Sequence, residues 1–119
     1  MKIRTLHGAV LTPDGFMRGR LVVQGDRIAA VDGEPITESQ ARQAEALIIP
    51  GFIDLHVHGG GGADTMDAGP AVATLARLHA RHGTTALLAT TMTAPMDEVE
   101  AALRAVAPHC AHRPADGAH

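Results

Sequence analysis

Tyrosine and tryptophan are missing from the sequence, and phenylalanine occurs only twice. Single-stranded nucleic acid is gripped by stacking bases on aromatic rings, so that class of partner has no platform here. Lys2 is the only lysine and the formal net charge is -3 at pH 7, which also argues against a phosphate-backbone partner. The one cysteine, Cys110, can form no internal disulfide, so a reducing compartment fits. Such a residue is expected to be a small, buried or half-buried hydrophobe. No apolar run reaches the roughly 18 residues that span a bilayer. The opening "MKIRTLHGAVL" has neither the long apolar segment nor the cleavage site of a secretory signal. The expected setting is cytoplasmic, with no membrane and no nucleic acid.

What is present is an aliphatic core. Apolar residues make up 45% of 119 positions, enough for one ordinary domain, or for a small domain plus part of another. Residues 1–49 read as short strands. "IRTLHGAVL" runs into the turn "TPDG", then "GRLVVQ", then "GD", then "RIAAVDG". Apolar runs punctuated by Gly-Asp and Asp-Gly mark antiparallel hairpins. "ESQARQAEALIIP" is ambiguous, and "EALII" is a candidate last strand of the same sheet.

At Pro50 the pattern changes. "GFIDLHVH" reads as a strand and "GGGGADTMDAG" as a loop. Residues 70–82 read as a helix, with Pro70 in its first turn, an apolar face at Val72, Leu75, Ala76 and His79, and Gly83 as the stop. "TTALLATTMT" is expected to be a strand buried on both faces. "APMDEVEAALRAVAPH" is expected to be a second helix, begun near Pro95 and stopped by Pro108, with "CAHRPADGAH" as a loop leading onward. Strands that alternate with helices of this length form parallel βα units. The expected fold class is therefore α/β: a small N-terminal β-sandwich-type unit over 1–49, then over 50–119 the first two βα units of a (β/α)₈ TIM-like barrel. That barrel is incomplete, since a full one takes about 250 residues.

The chemistry concentrates in "PGFIDLHVHGGGGAD", residues 50–64. Side chains two apart on a strand share a face, so His56 and His58 point the same way, with backbones about 7 Å apart. Asp54 lies on that face too, one step deeper. Two imidazoles at this spacing can converge on one divalent ion; Zn is the first choice, and Fe, Co, Ni or Mn also suit such ligands. A bare His-x-His is a weak signal and also describes a solvent-facing pair. Here it ends an apolar strand, meets a glycine loop and opens a βα unit, at the strand end where parallel barrels carry their chemistry. Gly59, Gly60, Gly61 and Gly62 lack a Cβ, so their backbone can approach a ligand closely, and they are expected to form a substrate loop. A phosphate-cradling P-loop is disfavoured because the run has no lysine. His79 and His82 are expected to be surface or helix-end residues, and no role is assigned to His7, His109, His112 or His119.

"IIPGFIDLHVHG" resembles the first barrel strand of the amidohydrolase superfamily. Together, "HVHGGGGADTMDA" and "HGTTALLATTMTAP" resemble the N-acetylglucosamine-6-phosphate deacetylases within it. The resemblance implies a metal-dependent hydrolase that removes the N-acetyl group of an amino-sugar phosphate, giving glucosamine 6-phosphate and acetate. It also implies first-strand metal ligands at His56 and His58, and a homodimer when full length. Some members lack the pair and use a single metal, so its presence implies a second metal position. The family's other features, a metal-binding Glu on the third strand, two later His ligands, the catalytic Asp and the phosphate-binding residues, have no match in these residues. No catalytic residue is assigned within the chain, which is expected to be an N-terminal fragment, inactive alone. Two other readings stay open: a fragment of another amidohydrolase, such as an isoaspartyl dipeptidase or a dihydroorotase-like enzyme, and a truncated metal-binding or interaction remnant.

Overall fold

The computed structural model describes residues 2–112 and 116–119. The chain divides into two compact units, Met1–Pro50 and Gly51–His119.

The first unit is built on three long strands, β1 (Ile3–Thr12), β2 (Gly15–Gln24) and β3 (Arg27–Ile36). They pair antiparallel through two-residue connections, Pro13–Asp14 and Gly25–Asp26, as the turn chemistry predicts. Thr12 Oγ1 accepts from the Asp14 N–H at 3.3 Å and donates to the Gly15 carbonyl at 2.8 Å, which tightens the first turn. Gly19 faces Gly33 across β2 and β3. A Cβ at Gly19 would lie 1.9 Å from the Asp32 carbonyl oxygen, so the two strands close up only around a bare backbone.

The ambiguous stretch after β3 is a helix. Helix α1 (Glu38–Arg42) starts at a capping box: Thr37 Oγ1 accepts from the Gln40 N–H at 3.2 Å, and Gln40 Oε1 accepts from the Thr37 N–H at 2.9 Å. This turn of helix brings the chain back to the far side of β1, where β4 (Leu47–Ile48) pairs with Ala9 and Val10. The sheet order is β3-β2-β1-β4. The expected last strand thus exists but is two residues long, and it runs parallel to β1 because a helix intervenes. Among the described residues this unit is a single sheet, and Ala9, Val10, Leu21 and Ala41 are its buried apolar side chains.

The second unit has the order strand, hairpin, helix, strand, helix. Strand β5 (Phe52–Val57) is followed by the two-residue strands β6 (Gly59–Gly60) and β7 (Ala63–Asp64), a 3₁₀ turn at Thr65–Asp67, and helix α2 (Ala71–Arg81). Strand β8 (Thr84–Ala89) then pairs parallel with β5, and helix α3 (Met96–Ala111) follows. The α/β class holds. Helix α2 buries Val72, Leu75 and Ala76 of the face read from its spacing, together with Ala71, while His79 is half-buried; Val57, Thr65, Thr84, Ala102 and Ala118 are the other buried residues among those described. The backbone of His119 lies along β8, donating to the Thr85 carbonyl at 3.0 Å and accepting from the Leu87 N–H.

Four expectations fail in this unit. Strand β8 ends at Ala89 rather than running to Thr93, and it is not buried on both faces: Leu88 is 58% exposed. Pro108 does not stop α3, which continues to Ala111. Proline's missing N–H costs a single bond to the carbonyl four residues back, and in a last turn the helix absorbs that loss; the Pro108 carbonyl still accepts from His112 at 2.9 Å. Cys110 is therefore helical, and it is exposed rather than buried. The loop expected over 110–119 includes positions 113–115, which lie outside the described residues. Among the described residues no helix is long and apolar enough to cross a membrane.

Candidate metal centre

His56 lies near the end of β5 and His58 one residue past it. The pleat sends both rings to one face, where their Nε2 atoms approach to 2.8 Å, with ring centroids 4.7 Å apart and planes at 71°. His56 is exposed and His58 half-buried. Asp54 does not turn toward the imidazoles. Its carboxylate accepts from the His56 N–H at 3.1 Å, holding the strand backbone instead.

The second ring nitrogen of His58 has a partner. Nδ1 lies 3.0 Å from the Thr90 carbonyl oxygen. A carbonyl only accepts, so Nδ1–H donates, and the lone pair of neutral His58 sits on Nε2, toward His56. The His58 carbonyl, in turn, accepts from the Thr65 N–H at 2.7 Å. Ring and backbone of His58 are thus held from two sides.

The four glycines have distinct geometric reasons. Gly61 and Gly62 have φ of 67° and 79°, the left-handed pair that a two-residue type I′ hairpin requires. Gly59 and Gly60 are sites of close approach. A Cβ at Gly59 would meet the Ala63 carbonyl oxygen at 2.4 Å, and one at Gly60 would meet Leu78 Cδ2 at 2.9 Å and His79 Nε2 at 3.0 Å. His79 is accordingly no plain surface residue. It is half-buried, and its Nε2 donates to the Gly59 carbonyl at 3.2 Å, tying the hairpin to α2. His82 is exposed at the end of α2; His7, His109 and His112 lie on β1, on α3 and just after α3.

Two imidazole nitrogens aimed at one point form a partial donor set for a borderline divalent cation. A catalytic zinc takes about three protein ligands, and no group of three or more His, Cys, Asp or Glu is assembled among the described residues. The pair therefore fits a metal as part of a site. The shared face of His56 and His58 follows from the pleat, whereas Thr90, which is 32 residues from His58, carries no local signal, and the helix-end placement expected for His79 holds without foretelling its bond to Gly59.

No family model matches the chain. Among curated proteins it is similar to an N-acetylgalactosamine-6-phosphate deacetylase of Escherichia coli O157:H7, with 40% identity over 103 residues, covering 85% of this chain and 27% of that protein. It is similar also to an N-acetylglucosamine-6-phosphate deacetylase of Vibrio furnissii, with 37% identity over 122 residues, covering 97% of this chain and 29% of that one. A solved structure of a variant N-acetyl-D-glucosamine-6-phosphate deacetylase from Mycobacterium smegmatis, in complex with N-acetyl-D-glucosamine-6-phosphate, matches with a TM-score of 0.70 and 30% identity, over 92% of this chain and 29% of that one. The chain corresponds to the N-terminal portion of these deacetylases and spans less than a third of their length.

Proposed function

We propose that this chain supplies the first-strand part of a metal-dependent deacetylase active site, acting on an N-acetylated hexosamine 6-phosphate. In this reading Met1–Pro50 is part of the small β domain and Gly51–His119 opens the (β/α)₈ barrel. The observation that carries it is the convergence of the His56 and His58 Nε2 atoms at 2.8 Å, at the C-terminal end of a parallel strand. The similarity to deacetylases of two hexosamine epimers supports the substrate class, with N-acetylglucosamine 6-phosphate first, the ligand of the Mycobacterium smegmatis neighbour.

His56 and His58 would hold the ion through Nε2, with zinc the first candidate and iron, cobalt, nickel or manganese compatible with the same donors. A divalent ion there supplies Lewis acidity, polarising an amide carbonyl and bringing the pKa of a bound water to about 7. The chain's own residues do the rest of the local work. His58 presents a lone pair because the Thr90 carbonyl occupies its other nitrogen. The hairpin Gly59–Gly62, which follows His58 directly, is the candidate substrate loop, with open space at Gly62. The remaining ligands and the general acid and base belong to the rest of the deacetylase length. The homodimer that the resemblance implies and the cytoplasmic setting that the lone cysteine favours complete the proposal.

Acetate release from N-acetylglucosamine 6-phosphate and its galacto epimer tests the reading, using both residues 1–119 and the whole translation product of the gene. The whole product should turn over with Zn²⁺, lose activity to a chelator, and fall by about two orders of magnitude or more when His58 is replaced by Ala, the scale of a lost electrostatic stabiliser. Residues 1–119 should be folded and silent. Turnover of neither epimer by the whole product, with any of the five metals, contradicts the proposal.

A further inference from the structure

We infer that Thr90 is the positioning residue of the histidine pair, and that its carbonyl fixes the tautomer of His58. Four hydrogen bonds meet on this residue. The Thr90 N–H donates to the Val57 carbonyl at 2.7 Å. The Thr90 hydroxyl accepts from the Val57 N–H at 3.2 Å and donates to the Leu88 carbonyl at 3.0 Å. The Thr90 carbonyl accepts from His58 Nδ1–H at 3.0 Å. The two bonds to Val57 fasten the residue after β8 onto the end of β5, at a point where Val57 is only 3% exposed, and the bond to Leu88 ties its hydroxyl back to β8. They aim the carbonyl that makes the fourth.

The consequence is a matter of proton counting. An imidazole can turn over about χ2 and present either nitrogen, and the partner of the other nitrogen decides which. With Nδ1–H spent on Thr90, neutral His58 has no proton on Nε2. Neutral His58 is the Nδ1–H tautomer. It is then preset as a ligand, with the Nε2 lone pair directed toward His56. Threonine suits the post because its branched Cβ restricts χ1, keeping the hydroxyl on Val57. The use made of this arrangement rests on the deacetylase reading; the tautomer itself does not.

Long-range ¹H–¹⁵N correlation spectra of the metal-free 119-residue chain, recorded at about pH 8.5 where ordinary histidine is neutral, read the tautomers directly. We expect His58 to show a protonated Nδ1 and a bare Nε2. Thr90→Ser, which keeps the hydroxyl, should preserve this pattern. Thr90→Val, which keeps the carbonyl but loses the two hydroxyl bonds that aim it, should mix the His58 tautomers and weaken Zn²⁺ binding by about 10-fold, the scale seen when the partner behind a metal ligand is disturbed. A wild-type His58 protonated on Nε2 overturns the inference, even if Thr90→Val does not fold. So does a folded Thr90→Val that leaves both the tautomer and the Zn²⁺ affinity unchanged. A wild-type His58 tautomer as expected, with no Zn²⁺ binding, upholds the role of Thr90 and sinks the metal site instead.

Discussion

The two units hold their strands in different ways. In Met1–Pro50, three strands of ten residues each pair antiparallel, unbroken between β1 and β2 and with a single register shift at Val22/Val23 between β2 and β3, and are joined by two-residue turns. Four apolar side chains are buried there, so regularity rests mainly on the hydrogen-bond ladder. In Gly51–His119 the two main strands are six residues each, and their parallel register shifts twice. Helix α2 packs on β8 and on the glycine hairpin, α3 packs on α2 and the 3₁₀ turn, and Leu75 is fully buried. Chemistry gathers in the second unit, because distant residues such as His58 and Thr90 must be brought to one strand end there.

The comparison breaks first at the core. Leu75→Ala should destabilise the second unit by about 2–5 kcal/mol, the range for truncating a fully buried leucine. A urea titration followed by the amide signals of β5 and α2 measures it, and a cost within error of zero would mean that packing does not hold this unit. A ladder-held sheet should instead be sensitive to backbone approach. Gly19→Ala places a Cβ against the Asp32 carbonyl and should cost roughly 1–3 kcal/mol, seen as weakened amide protection along β3. Full protection in that variant would show that the β2–β3 approach is looser than described. The smallest effect belongs to the surface of the same sheet. Arg20 and Asp32 pair at 2.9 Å with about half of each side chain exposed, so Asp32→Ala should cost about 0.2–1 kcal/mol and less at high salt. A larger, salt-insensitive loss would contradict that ranking.

What the sequence disclosed follows the same division. Strands β1 to β3 were legible because their turns, Pro13–Asp14 and Gly25–Asp26, are local chemistry. Helix α2 was legible because Val72, Leu75 and Ala76 repeat at helical spacing, and His56 and His58 because a strand's pleat is local too. Helix α1 had a readable signal, the Thr37-to-Gln40 capping box, which "ESQARQ" obscured by lacking an apolar stripe. The run through Pro108 was not legible, since a proline in a last turn and a proline after a helix look alike in sequence. Least legible were the residues that act by pairing across the fold. The glycine run announced a tight backbone, but not which glycines serve the turn and which make room for α2. Nothing around Thr90 or His79 indicates that one meets His58 and the other Gly59.

The most direct test of the central claim is a Zn²⁺ titration of the ¹⁵N-labelled chain, followed at the imidazole nitrogens. The account predicts that the Nε2 signals of His56 and His58 move together to metal-bound positions, while His58 Nδ1 keeps its proton and His79 does not move. Zinc taken up at other histidines, or movement of only one member of the pair, would contradict the shared site on which the account rests.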